Sequence, residues 1–146
     1  MNFMNGLYTL LDIALWLAGA GHFCILIASF QMPFRLGWPE DLAKLREFNR
    51  KIIWVMGGFT VMTIIAFGTL TLALHGEMMR GDRAAMGLAV FIAVFWTARI
   101  LVDFFHFKHK GWPRGVQFVI GHALLTALFI ALAGTYWALL AWNLVR

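Results

Sequence analysis

The sequence predicts an all-α integral membrane protein: a four-helix antiparallel bundle with a short cytoplasmic interfacial helix, formed by residues 1–146 as a single transmembrane domain. Three observations predict it. The 146-residue chain is 62% hydrophobic and only 13% charged, with a mean hydropathy of +0.78, well outside the range of soluble domains. Four apolar runs, at roughly 7–32, 52–75, 84–107 and 115–142, each reach the ~20 residues that cross a bilayer. The connections between them are short and leave no room for a separate soluble domain.

Span one contains Ala18-Gly19-Ala20, which has the form of a signal-peptidase site. The segment lacks a basic n-region and stays apolar to Phe34, so a retained helix with His22 inside it is expected. After it, "RLGWPED" carries Gly-Trp-Pro at 37–39, and "HKGWPRG" repeats the tripeptide at 111–113. Glycine permits a turn, proline suits a helix start, and tryptophan favours the headgroup region. Two interfacial turns built alike are expected.

Residues 39–51, "PEDLAKLREFNRK", place acids first and bases last, as a helix dipole favours. Leu42, Leu45, Phe48 and Asn49 fall near one face. The segment reads as a short amphipathic helix on the inner surface, or as an extension of span two. Trp38, Trp54 and Trp112 are expected as an inner aromatic belt, and Trp137 and Trp142 as an outer one. Small residues, among them Gly19 and Gly21, Gly57-Gly58 and Gly68, and Ala131 and Gly134, permit close helix contacts.

The net charge of +5 is distributed in a way that points to lipid and away from nucleic acid. The first and third connections hold Arg35, Lys44, Arg46, Arg50, Lys51, Lys108, Lys110 and Arg114, eight bases against Arg80, Arg83 and Arg146 on the other side. Positive-inside bias then predicts a multi-pass protein of the cell inner membrane, both termini outside and the basic loops cytoplasmic, against anionic headgroups. The one cysteine, Cys24, excludes an intramolecular disulfide.

Ionisable residues within apolar spans are the functional candidates, because hydrocarbon disfavours charge. Gly21-His22 on span one and Gly121-His122 on span four fall at similar counted depths, so the two pairs are expected to face each other. On span three, Trp96, Arg99, Asp103 and His106 share a helical face, and Arg99 and Asp103 are spaced to form an ion pair. Three chemistries suit such a site. The sharpest reading is a membrane-embedded b-type haem for electron transfer, which would take His22 and His122 as axial ligands, with Gly21 and Gly121 making room for the ring and Arg99 meeting its propionates. A non-haem iron or other metal would use His22, His122, Asp103 and His106. A small transporter would pass protons along Asp and His, and four helices would then need a homo-oligomer. Against all three stands a reading with no cofactor, in which the histidines pack helices together in an accessory or assembly subunit bound to other membrane subunits.

His75 and His109 are expected at span ends, and Asp12 is expected either in an outer polar pocket with Thr135 and Tyr136 or reaching toward the interface. No G-x-S-x-G, Walker loop, H-E-x-x-H or C-x-x-C motif is present, so enzymatic activity is left open. The strings "GHFCILIASFQMPFRLGW" and "FNRKIIWVMGGFTVMTIIAFGTLTL" resemble small uncharacterised four-span bacterial integral membrane proteins. The resemblance covers most of the chain and implies the four-span fold without implying an activity.

Overall fold

A computed structural model of the chain describes residues 3–106 and 115–145. These residues are all helical apart from short turns, with no strand among them. The helices are α1 (Phe3–Arg35), α2 (Trp38–Ala43), α3 (Glu47–Ala73), α4 (His75–Arg80), α5 (Arg83–His106) and α6 (Val116–Val145). Helices α1, α3, α5 and α6 are each long and apolar enough to cross a membrane. They correspond to the four expected spans, although α1 begins earlier and runs further, and α3 starts well before the apolar run.

The 39–51 segment resolves into parts of two helices. Gly37 adopts φ 65, which a residue with a Cβ rarely takes, and α2 follows it with Pro39 in its first turn. The helix ends at Ala43, and α3 starts at Glu47 after a three-residue turn. The C-terminal half of the segment is therefore an extension of span two, and Leu42, Leu45 and Phe48 do not share one continuous helix. Trp38 and Trp54 meet edge-on with ring centroids 6.5 Å apart, which ties α2 to α3. Trp112, His109 and the second Gly-Trp-Pro turn lie outside the described residues.

Helices α1 and α3 pack closely, as do α5 and α6, and α1 also packs on α6. Along α1 and α3 the meeting residues are Gly19 with Leu72 and Phe23 with Gly68, and Asp12 of α1 meets His75 at the start of α4. Between α5 and α6 they are Trp96 with Phe129 and Asp103 with His122. The core lies in the half of the structure around α4. It is built from Leu11, Leu15 and Ile25 of α1, Ile64 and Phe67 of α3, Ala89, Ile92 and Trp96 of α5, and Leu132, Tyr136 and Leu139 of α6.

Helix α4 closes this half. The chain bends at Leu74 (φ −101, ψ 19), and the following turn drives Met78 and Met79 into the core. Gly81, at φ 81, ends α4 and faces Asn143, whose Nδ2 donates to the Met78 and Leu139 carbonyls. A Cβ on Gly81 would come within 2.6 Å of the Asn143 side chain, so both its backbone angle and its position call for glycine. Away from α4 the helices present their apolar side chains outward: Phe30, Phe34, Val55, Phe59, Phe104, Phe105, Val119 and Leu124 are all exposed.

Two glycines explain the tight α1–α3 contact. A Cβ on Gly68 would lie 2.8 Å from the Phe23 ring and 3.1 Å from the Gly19 carbonyl oxygen. A Cβ on Gly19 would meet side chains alone, the Leu72 Cδ2 at 2.5 Å and the Thr71 Cγ2 at 3.5 Å. Gly58 has nothing within 4 Å. Gly68→Ala is expected to lower stability by roughly 1–3 kcal/mol through overpacking against backbone, Gly19→Ala by less, and Gly58→Ala not at all. Thermal unfolding of the detergent-purified variants measures the order.

Candidate functional site

His22 is fully buried where α1, α3, α5 and α6 converge. Its Nδ1 donates to the Ala18 carbonyl one turn earlier at 2.7 Å, and its Nε2 accepts from the Trp96 indole N–H at 3.0 Å. A carbonyl can only accept and an indole N–H can only donate. The two partners therefore fix one tautomer, a neutral ring protonated at Nδ1. Phe67 and Tyr136 present ring edges to it, with centroids 5.9 and 6.1 Å away. Trp96 is itself buried and stacked on Phe129 at 5.0 Å.

A second buried polar pair lies nearby. The hydroxyls of Thr71 on α3 and Tyr136 on α6 are 2.6 Å apart and inaccessible to solvent. The expected outer pocket of Asp12, Thr135 and Tyr136 is thus not formed. Tyr136 turns inward to Thr71, and the Thr135 hydroxyl donates to its own helix at Ala131. Asp12 instead meets His75, whose Nε2 is 3.4 Å from Oδ1 and 3.3 Å from the Asp12 carbonyl oxygen. Trp16 stacks on the His75 ring at 4.4 Å. Sequence reasoning placed His75 at a span end but had no means of seeing this partner, because it depends on the rotation of α1.

The third polar group lies further along α5 from the core. Asp103, with its side chain 12% exposed, faces Arg99 Nη1, His122 Nε2 and the Thr126 hydroxyl. Each contact is 3.4 Å, longer than an ordinary hydrogen bond, so the group is loosely held. The Arg99 guanidinium also lies over the Phe129 ring at 5.2 Å, a cation–π contact. The spacing of Arg99 and Asp103 thus matches a real pair, and α6 supplies two partners that spacing alone does not indicate. His106 is exposed in the last turn of α5.

The two Gly-His pairs do not face each other. Gly21 packs against Leu128 and Leu132 of α6, at 3.3 and 3.7 Å from an added Cβ. Those leucines lie six and ten residues beyond His122, so at ~1.5 Å of rise per residue the histidines sit roughly 9–15 Å apart along the bundle. The space beside Gly21 is filled by leucine, and a Cβ on Gly121 would meet nothing within 4 Å among the described residues. A ring ligated by both histidines would require this packing to open and Trp96 to release Nε2. Among the described residues no three His, Cys, Asp or Glu side chains come close enough to hold a metal ion. His22 is therefore separated from Asp103 and His122, and the four expected metal ligands are not brought together.

Comparison of the chain with protein-family models, curated proteins and solved structures finds no match.

What the polar groups do chemically is hold helices to one another. His22–Trp96 joins α1 to α5, Thr71–Tyr136 joins α3 to α6, Asp103–Thr126 joins α5 to α6, and Trp137 Nε1–Thr97 Oγ1 at 3.1 Å joins the same two helices again. Trp96→Phe keeps the stack on Phe129 but leaves His22 Nε2 buried without a donor, and is expected to cost roughly 1–2 kcal/mol. For the hydroxyl pair, Thr71→Val and Tyr136→Phe should each destabilise, while the double variant loses less than the sum. Thermal unfolding in detergent measures both effects, and strict additivity would show that the two hydroxyls are not coupled.

Proposed function

We propose that the chain is an integral protein of the inner membrane, an antiparallel four-helix bundle with α2 at the cytoplasmic interface, and that it serves as a non-catalytic accessory or assembly subunit of a larger membrane complex. The order of contacts along α1–α3 and α5–α6 supports the antiparallel arrangement. The excess of basic residues in the first and third connections supports termini outside and basic loops inside.

The observation that carries the functional reading is the double engagement of His22. An imidazole buried at the centre of the bundle has both nitrogens in hydrogen bonds within the protein, so a metal or haem iron would have to displace Trp96 from Nε2. The neighbouring polar contacts likewise link helices. That is the pattern of polar residues that fasten membrane helices together. Where the helices present apolar side chains outward, away from α4, a larger complex supplies neighbours that the chain itself does not.

Two measurements test the reading. Solubilised under mild conditions from its own membrane, the protein should migrate on a native gel at a mass well above that of the single chain in its micelle. Migration as a lone chain would overturn the subunit role. The purified protein should also show no Soret band, before or after dithionite. A Soret band with sharp reduced α and β bands, abolished by His22→Ala or His122→Ala, would instead establish b-type haem ligation and electron transfer.

A further inference from the structure

The turn region between α1 and α3 carries five bases and three acids: Arg35, Lys44, Arg46, Arg50 and Lys51 against Glu40, Asp41 and Glu47. The structure sorts them. Lys44 Nζ is 2.8 Å from Asp41 Oδ1, and Lys51 Nζ is 2.6 Å from Glu47 Oε1, so both lysines are neutralised locally. Glu40 folds back over Gly37. Arg35, Arg46 and Arg50 have no carboxylate partner among the described residues.

We propose that Arg35, Arg46 and Arg50 form a binding surface for the phosphate headgroups of anionic phospholipids. Arg46 precedes α3 as its N-cap and Arg50 lies in its first turn, with the Arg50 amide donating to the Arg46 carbonyl at 3.1 Å, so both sit at the same end of the helix. Arg35 ends α1, which packs on α3. A guanidinium offers phosphate a planar fork of donors that an ammonium already held by a carboxylate does not.

The apolar surroundings identify the ligand as a lipid. Phe34, next to Arg35, and Phe48, between Arg46 and Arg50, are 79% and 72% exposed, and the Trp38–Trp54 pair lies in the same region. A soluble phosphate or an acidic peptide would satisfy the arginines and leave these rings wet. A phospholipid places its headgroup on the guanidinium groups and its acyl chains against the rings.

This surface rests on the membrane-spanning reading and is independent of the subunit role. The test is native mass spectrometry of the detergent-purified protein offered equal amounts of phosphatidylglycerol and phosphatidylethanolamine. The wild-type chain should retain phosphatidylglycerol in preference. R35Q, R46Q and R50Q should each lower that preference about fivefold, the contribution of one interfacial base. R83Q removes an exposed guanidinium just after α4, and D41N/K44Q removes a neutral pair; both should leave the preference unchanged. An equal fall in R83Q would show a net-charge effect and overturn the proposal, as would a wild-type chain with no preference. A chain that stays monodisperse in water without detergent would overturn the membrane reading, and this surface with it.

Discussion

The structure depends on one constraint: a polar side chain among four apolar helices must find its partner on the protein. His22 shows how far the constraint reaches. Its Nε2 needs a donor, which Trp96 provides, and Trp96 can provide it only if α5 is rotated to turn that residue inward. The same rotation brings Ala85, Ala89, Ile92 and Ala93 into the core and stacks Trp96 on Phe129 of α6. The Ala18 carbonyl takes the other proton. Three helices are thus oriented by the needs of one imidazole, and Phe67 brings in the fourth by its ring edge.

Close approach and openness are distributed along the bundle by the same logic. Around α4, Gly19 and Gly68 let α1 and α3 come together, and Gly21 lets Leu132 in from α6. A Cβ on Gly57, Gly58, Gly121 or Gly134 would meet nothing within 4 Å among the described residues. The polar groups follow this division only in part. His22 and the Thr71–Tyr136 pair are fully buried with contacts of 2.6–3.0 Å, whereas the Asp12–His75 pair beside α4 and the Asp103 group beyond the core are partly exposed with contacts of 3.3–3.4 Å.

The four long helices were legible in the sequence because the length of an apolar run and the scarcity of charge are local properties. Short-range geometry was legible too: Arg99 and Asp103 meet as their i, i+4 spacing requires, and Gly37 takes the left-handed turn expected of Gly-Trp-Pro. Relations between helices were not. The depths of His22 and His122 were counted from the ends of apolar runs, but α1 continues through Pro33 to Arg35, and the level of a residue is set by which neighbour packs on it. Gly21 rests on Leu128 and Leu132, and no count along one helix contains that information. Tyr136 was misplaced for the same reason, since its partner Thr71 lies 65 residues away in sequence.

The distribution of unpartnered charge then separates what holds the fold from what faces outward. Burying an ionisable group without a partner is far more costly than exposing one, so the polar residues found in the core are the partnered ones. His22, Thr71 and Tyr136 fall in that class. Arginines beside exposed aromatic rings are different. The turn region pairs its lysines with its own acids, and among the described residues Arg35, Arg46 and the half-buried Arg50 have no carboxylate partner. The proposed lipid contact lies at the basic, aromatic edge, apart from the buried partners of His22.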